Sequence, residues 1–262
     1  ARTVPISWGQ EMRDQAAMIR EVVKWDYELK FPEQAVDIID RAVAIANSTP
    51  RGPVYLSLPR EVLCEQCPAD ELNSPVKMAP AIAFPRPRDV EAVAELLRTA
   101  KRPLIIAQRG AGSVAGFELL SAFASDWGIP VCQYWAVQLA VPTDHAMAIG
   151  VDPAPWLAEA DLVIVIDSLA PWSPNIHSLP DDCKVVHIGQ DPLYSNVPVR
   201  NFRSDLSLVG DTADVLQEIA RAASIFLDDT AAARETRRLN VAKASGERRA
   251  AVDQEAEAGR RD

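Results

Sequence analysis

The sequence predicts an α/β fold built on a doubly wound parallel sheet. Short apolar runs at 103–107, 162–167 and 184–188 show no polar alternation, which is typical of parallel strands covered on both faces. Helical segments with one apolar side, such as 89–100, alternate with these runs. A glycine-rich turn also joins the first run to the helix that follows it. These observations place a Rossmann-like domain at residues 87–225.

Composition and charge restrict the classes of partner. The chain has 262 residues, 48% of them hydrophobic, so it can bury a substantial core. Its net charge of −10 argues against nucleic acid or an anionic membrane as the main partner, because both require a basic face. No apolar run approaches the ~20 residues of a membrane span, and the N-terminus lacks the apolar core of a signal peptide. We therefore predict a cytoplasmic protein.

Residues 1–63 predict a partial α/β domain. Helical spacing is found at 11–23 and again at 33–47, where Pro32 suits the first turn of a helix. A strand follows at 54–58. Two helices and one strand are too little to bury a sheet, so either this part packs on the next domain or the chain begins inside a domain.

The next segments predict a linker, the central domain and a tail. Residues 64–86 are rich in proline and lack periodicity, which indicates a linker. In the central domain the sequence predicts five strands that alternate with helices: strands at 103–107, 129–132, 162–167, 184–188 and 206–209, and helices at 89–100, 114–127 and 211–223. Residues 226–262 are rich in Ala, Arg and Glu, which predicts a solvated helix or a frayed tail that could connect to a further domain.

The turn between strand 103–107 and helix 114–127 is the first candidate binding site. Gly110, Ala111 and Gly112, followed by Gly116, form a GxGxxxG pattern at the start of a helix, where main-chain N–H groups and the helix dipole favour phosphate. The dinucleotide fingerprint is GxGxxG with an acidic residue after the second strand, and that strand instead runs into Gln133. The pattern is therefore compatible with a phosphate site or with a packing turn.

Three polar residues extend this candidate site. Arg109 lies in the turn and could bind a phosphate, or could be a solvated surface arginine. Asp167 and Asp191 each end a strand, at the edge of a parallel sheet where ligands collect. Either carboxylate could accept ribose hydroxyls or cap the turn that follows it, and the cap is the favoured interpretation for each alone.

Catalytic and metal-binding residues are not predicted. Cys64 and Cys67 form a CxxC without the second pair that a zinc site needs, so the cysteines are interpreted as incidental thiols. The histidines lack ligand spacing. His187 lies in an apolar strand, which favours a hydrogen-bonded core histidine over a catalytic base.

Five segments, taken in order, resemble thiamine-diphosphate enzymes of the acetolactate synthase and benzoylformate decarboxylase kind. The resemblance covers most of residues 5–225. It rests on VKWDYEL at 23–29, RGPVYLSLPREV at 51–62, KRPLIIAQRGAGSVAGFELLSAFASDWGIPV at 101–131, LAEADLVIVIDS at 157–168 and KVVHIGQDP at 184–192. The resemblance implies the end of the family's first, pyrimidine-binding domain, a linker, the whole central domain and the start of a connector to a third domain.

The resemblance also implies cofactors. In this family the first domain supplies a glutamate that activates thiamine diphosphate, and the third supplies a GDG-to-Asn motif for Mg²⁺; neither motif is in this sequence. Some relatives hold FAD or ADP in the central domain, but the matching turns here, 149–152 and 167–170, depart from the flavin-binding pattern. Thiamine diphosphate and Mg²⁺ are therefore expected in the complete enzyme, with FAD or ADP as the less favoured addition.

The expected function follows from this resemblance. The chain is interpreted as a fragment, inactive alone, of a homodimeric or homotetrameric 2-oxo acid decarboxylase and carboligase. Its central domain would be structural and could also bind a nucleotide. Any nucleotide would face Gly110, Ala111, Gly112 and Asp167, with residues 189–191, including Asp191, as a weaker match. Two alternatives remain: a free-standing nucleotide-binding module, and a dimerising module without a functional pocket.

Overall fold

The computed structural model describes residues 9, 12–67, 70 and 78–259. The chain divides into two compact units, Ala1–Ala83 and Phe84–Asp262. Parts of three sequence predictions lie outside the described residues: the start of the 11–23 helix, much of the 64–86 linker, and the last three residues of the tail.

The first unit is a small parallel sheet with one main helix. Strand β1 (Trp25–Glu28) pairs in parallel with strand β2 (Val54–Ser57). Helix α1 (Ala35–Asn47) lies between them in the chain and packs on both, and a short helix α2 (Arg60–Leu63) follows β2. Every residue of both strands is only partly buried. The helix predicted at 33–47 and the strand predicted at 54–58 are confirmed, whereas β1 was not predicted.

The helix predicted at 11–23 is wrong in its described part. The chain there makes two short 3-10 turns, Ala16–Met18 and Arg20–Val22, and Val23 is extended. The apolar side of the predicted helix consisted of Met12, Ala16, Ile19 and Val23. Met12 is exposed and the other three are only partly buried, so this side has little apolar surface on which to pack. Arg20 instead pairs with Asp14 and Asp26, which fixes the turns through polar contacts.

The second unit is a six-stranded, wholly parallel sheet with helices, which confirms the predicted doubly wound α/β class. The strand order is β5-β4-β3-β6-β7-β8. The elements run in the order α3 (Pro87–Thr99), β3 (Pro103–Ala107), α4 (Val114–Trp127), β4 (Val131–Cys132), β5 (Ala148–Gly150), α5 (Ala154–Leu157), β6 (Leu162–Ile166), β7 (Lys184–Gly189), β8 (Leu206–Val209), α6 (Thr212–Ala223) and α7 (Leu227–Ala258).

The core lies around the central strands of this sheet. All residues of β3 and β6 are buried, as their continuous apolar sequences predict for strands covered on both faces. Helix α6 packs against α3 and α4, and α7 packs against α4 and β5. The five predicted strands are all present. The sixth, β5, is a three-residue edge strand, too short to stand out in the sequence.

Helix α7 forms the segment that was predicted as a solvated helix or a frayed tail. The helical alternative is confirmed over 227–258, and most of its residues are exposed. One stripe nevertheless docks on the sheet domain. Val241 and Ser245 are buried, and the Ser245 hydroxyl donates to the Ala148 carbonyl oxygen at 2.6 Å.

Candidate functional site

The carboxyl ends of β3, β6 and β7 meet at one edge of the sheet, because the three strands are adjacent and parallel. The loops that follow them carry the predicted residues: the glycine turn after β3, Asp167 after β6 and Asp191 after β7. This carboxyl edge is therefore the candidate functional site.

Two glycines of the GxGxxxG turn are required by packing. Gly110 has a φ of 73°, and a Cβ there would lie 2.9 Å from the Leu139 carbonyl oxygen. A Cβ on Gly116 would lie 2.1 Å from the Ala111 carbonyl oxygen. These glycines let the turn approach the 138–139 loop and the first turn of α4, so their presence is explained without a ligand.

Gly112 is the glycine of the turn that has room for a side chain. Its φ of 78° favours glycine, but the nearest atom to an added Cβ would be Thr212 Cβ at 3.7 Å. Ser113 follows it as the cap of α4, and its hydroxyl accepts a hydrogen bond from Gly116 N at 3.0 Å. Asp211 Oδ1 lies 3.9 Å from the same Cβ position. A carboxylate so near the helix N-terminus opposes the attraction that this turn would exert on a phosphate.

Asp167 is engaged by a tyrosine rather than free at the strand end. Tyr194 donates its hydroxyl to Asp167 Oδ1 at 2.9 Å. Both residues have left-handed backbones, with φ values of 39° for Asp167 and 53° for Tyr194, so the contact is held in a strained conformation. Burial raises the pKa of Tyr194, and the adjacent carboxylate raises it further, so the hydroxyl keeps its proton for this bond.

Two arginines flank the same tyrosine. The guanidinium carbons of Arg109 and Arg200 lie 5.5 Å and 4.9 Å from the Tyr194 ring centroid. Arg200 also donates from Nε to the Leu169 carbonyl oxygen at 2.9 Å and from Nη2 to the Ser168 carbonyl oxygen at 2.8 Å. Burial lowers the pKa of Arg200. Arg109 is thus brought to Asp167 through Tyr194, and Arg200 holds the loop after β6.

His187 connects β7 to this arginine. Its Nε2 lies 3.0 Å from the Arg203 carbonyl oxygen, which requires a proton on Nε2, and its Nδ1 lies 3.3 Å from Arg200 Nη2 and accepts from it. Burial, together with the Arg200 charge, lowers the pKa of His187 to about 4. The histidine is therefore neutral and fully bonded, and its interpretation as a core histidine is confirmed.

Asp191 caps a turn. Its Oδ2 accepts hydrogen bonds from Ser195 N at 2.7 Å and from Ser195 Oγ at 2.8 Å. These contacts match the favoured interpretation of this residue. Ligand binding by Asp191 and by the other candidate residues stays a prediction.

Tyr194 and Arg200 were not predicted as parts of this edge, and Gln108 was not predicted to have a role there. Gln108 accepts from Leu169 N through Oε1 at 2.8 Å and from Val137 N through its main-chain oxygen at 2.7 Å, so it joins three loops. Its position directly after a strand was the available signal. The positive φ of Tyr194 could not be predicted from its sequence neighbours.

In the described part of the chain, possible metal ligands do not cluster and the two buried thiols are not activated. No group of three or more His, Cys, Asp or Glu there could hold a metal ion. Burial raises the pKa of both Cys132 and Cys183 to about 12, so these thiols are unreactive near neutral pH. None of the described helices combines the length and apolar character that a bilayer crossing requires.

The second unit is a Rossmann-like domain: a parallel sheet with a glycine turn after its first strand and a carboxyl edge whose polar side chains bond to one another and to the main chain. Comparison with known proteins specifies its family. Residues 90–219 match the family model described as thiamine pyrophosphate enzyme, central domain. The chain belongs to this family of thiamine-diphosphate-dependent enzymes and contains their central domain.

Individual relatives agree with this assignment. A protein described as probable 2-ketoarginine decarboxylase AruI from Pseudomonas aeruginosa is 30% identical over 220 residues, covering 81% of this chain and 38% of the relative. A probable acetolactate synthase large subunit from Methanocaldococcus jannaschii is 26% identical over 222 residues, covering 80% and 37%. Benzoylformate decarboxylase from Polynucleobacter necessarius has a similar structure, with a TM-score of 0.64, 26% identity, and coverage of 76% and 38%. The chain spans little more than a third of the length of these relatives.

Proposed function

We propose that this chain is the central-domain part of a thiamine-diphosphate- and Mg²⁺-dependent enzyme that decarboxylates a 2-oxo acid and transfers the product to an acceptor. The main supporting observation is that the domain matches the central domain of this family and that the polar side chains of its carboxyl edge hydrogen-bond to other protein groups. Protein atoms are the hydrogen-bond partners of Asp167, Arg200 and Asp191. This arrangement supports a structural role for the domain.

The described residues do not fit the metal themselves, because they contain no suitable cluster of ligands. We therefore assign no reaction step to them. In the proposed enzyme, Mg²⁺ and thiamine diphosphate bind to other parts of the protein, and the cofactor supplies the carbanion chemistry when bound. The central domain holds those parts at fixed spacing.

Exposed apolar side chains around the carboxyl edge support an assembled state. Val114 is the first residue of α4 and is 77% exposed, Val137 follows β4 at 70%, and Val199 follows β7 at 81%. Contiguous exposed apolar patches are typical of surfaces that pack against other protein, whereas single exposed residues are common on monomers, so the main support for assembly is the family match. We propose that the complete enzyme is a homodimer or homotetramer in the cytoplasm.

The test begins with the native protein from its cell. Its intact mass and a peptide map should show a product about two to three times the mass of this chain, with peptides on both sides of it. The purified native protein should then release CO2 from 2-oxo acids, lose activity on removal of Mg²⁺ and thiamine diphosphate, and regain it when both are restored. A native product confined to these residues, or activity that ignores the cofactor, would overturn the proposal.

A free-standing nucleotide-binding module is the second candidate, and the pocket lined by Gly112 beside the α4 cap is the observation in its favour. Calorimetric titration of the chain with ADP and with FAD tests for this binding, while the mass of the native product separates the two candidates. Saturable ADP binding that Gly112→Asp abolishes would support the module, since the substitution adds a negative charge at the turn. Unchanged affinity in that variant would place the nucleotide elsewhere. Self-association without nucleotide binding would support the dimerising alternative.

A further inference from the structure

A cavity lies at the amino-terminal edge of the sheet, where α7 passes over the starts of β3 and β4. Its volume is about 180 Å³. Pro103, Leu104 and Pro130 contribute from the strand ends, and Val241 contributes from α7. Trp156, in α5, completes the apolar lining. None of the carboxyl-edge residues lines this cavity, so it is a separate site.

The size and lining of the cavity fit one small apolar group. An apolar protein cavity of roughly 150 Å³ can hold benzene, so a space of about 180 Å³ accommodates a single ring or a branched aliphatic group of similar size. The Trp156 ring and the proline rings are rigid surfaces for such a group to pack on.

The rim of the cavity is positively charged. Lys101, Arg102 and Arg237 line it, and none of these three cations has a carboxylate partner at ion-pair distance among the described residues. Glu159 is the one acidic residue in the lining. Asp161 lies nearby, and its carboxylate accepts the main-chain N–H groups of Lys101 and Arg102, at 2.7 and 2.9 Å.

Arg237 is the most constrained of these cations. It donates to the Ala100 carbonyl oxygen at 3.0 Å and to the Trp127 carbonyl oxygen at 2.9 Å, and its Nε is buried without a hydrogen-bond partner. Burial lowers the pKa of Arg237, and the Asp161 carboxylate partly opposes this shift without reaching ion-pair distance. A nearby anion would gain more there than in water. Three cations without carboxylate partners are also unexpected in a chain whose net charge is −10.

We propose that this cavity binds a small organic monoanion, an aromatic or branched aliphatic carboxylate. The apolar body occupies the space beside Trp156 and Leu104. The carboxylate lies at the rim near Lys101 and Arg102. The inference is independent of the proposed function, since it uses neither the cofactor nor the carboxyl edge.

Phenylacetate is the probe, because it joins one ring to one carboxylate. Phenylacetamide and phenethylamine are its neutral and cationic counterparts of similar shape. Calorimetry and ¹H–¹⁵N correlation spectra on the chain should show saturable phenylacetate binding, with a Kd on the order of 1 mM as expected for so small a ligand. The indole N–H signal of Trp156, assigned with Trp156→Phe, should shift. The amide and the amine should bind at least about tenfold more weakly.

Two variants of opposite sign test the charge. Lys101→Gln should weaken phenylacetate binding about threefold, and Glu159→Gln should strengthen it by a similar factor. Both side chains are exposed, so neither change should unfold the protein. Lys243→Gln removes a charge from α7 without altering the cavity lining and should leave affinity unchanged.

Several outcomes would overturn the proposal. These are the absence of saturable binding, equal binding of phenylacetate and phenylacetamide, or equal effects of the Lys101 and Lys243 substitutions. Signal shifts confined to the glycine turn would likewise place the ligand at the carboxyl edge instead. None of these results would test the cofactor dependence of the native enzyme. The proposed anion site and the proposed enzyme function can therefore be disproved independently of each other.

Discussion

The two edges of the second unit's sheet use polar groups in opposite ways. At the carboxyl edge, Asp167 and Arg200 bond to protein atoms, and the glycine turn is shaped mainly by close packing. At the amino edge, Arg237 is fixed by main-chain carbonyl groups, and no carboxylate lies at ion-pair distance from it in the described part of the chain. The glycine motif in the sequence therefore reflects close packing of the backbone. The cations without carboxylate partners at ion-pair distance among the described residues lie instead where α7, which is distant in sequence, docks on the sheet.

The docking of α7 depends on its contacts with main-chain oxygens. Arg234 and Arg237 donate to the carbonyl oxygens of Asp126 and Trp127 at the end of α4, and Arg249 donates to that of Asp144. Hydrogen bonds from charged donors are the stronger kind. Contacts between residues distant in sequence thus hold α7 at the amino edge. The loss of stability caused by substitutions at each edge can therefore be compared.

The largest expected effect is that of Gly128→Ala. Gly128 has a φ of 60°, and a Cβ there would lie 2.6 Å from Arg234 O and 2.8 Å from Arg238 N, both in the main chain of α7. Left-handed strain and overpacking together should lower the free energy of unfolding by about 2–4 kcal/mol. The matched control is Gly112→Ala at the other edge, with a φ of 78° and no atom within 3.7 Å, where only strain of about 1 kcal/mol applies. Urea denaturation measures both, and equal losses would mean that α7 does not pack on Gly128.

A pH-dependent loss of stability is expected from His187. Its pKa is about 4 in the folded chain and about 6.5 when unfolded, so the unfolded state takes up the proton first as pH falls. Stability is therefore complete above pH ~6.5 and declines toward the folded pKa, with a loss of about 2–3 kcal/mol by pH ~4.5. Denaturation curves at a series of pH values should show a weaker decline in His187→Gln. A decline of the same slope in the variant would assign the effect to other groups.

Gly116→Ala should destabilise the glycine turn by about 1–3 kcal/mol, because the added Cβ would meet the Ala111 carbonyl oxygen at 2.1 Å. Gly246→Ala makes the same chemical change on α7, where nothing lies within 4 Å of the added atom. That control should stabilise the chain by about 0.5–1 kcal/mol through helix propensity. Thermal unfolding of the two variants should shift in opposite directions. Loss of stability in both would contradict the packing explanation for Gly116.

The contrast between the edges also explains what the sequence could predict. The buried strands β3 and β6 were predictable because local apolar runs decide them, and the cap at Ser113 follows from local geometry. The short strand β5 was missed because three residues carry too little pattern.

At both edges, the contacts that could not be predicted from the sequence are those between residues distant in the chain. The contact between Asp167 and Tyr194 joins residues far apart in the sequence and needs a left-handed tyrosine, which no local signal announces. The docking of α7 relies on arginines bonded to carbonyl groups more than a hundred residues away. When only neighbouring residues are considered, arginines in a polar helix such as α7 predict side chains exposed to solvent.

The smallest expected effect concerns the carboxyl edge alone. Tyr194→Phe removes the hydroxyl that donates to Asp167 at 2.9 Å, and a half-buried bond to a carboxylate is worth about 1 kcal/mol. Tyr134→Phe is the matched control, because within the described part of the chain the Tyr134 hydroxyl has no hydrogen bond, and its change should be within about 0.5 kcal/mol of zero. Chemical denaturation of both variants compares them. A loss for Tyr194→Phe no larger than that of the control would mean that Asp167 is not held by the tyrosine, and the carboxyl edge would then resemble the amino edge in keeping an uncompensated charge.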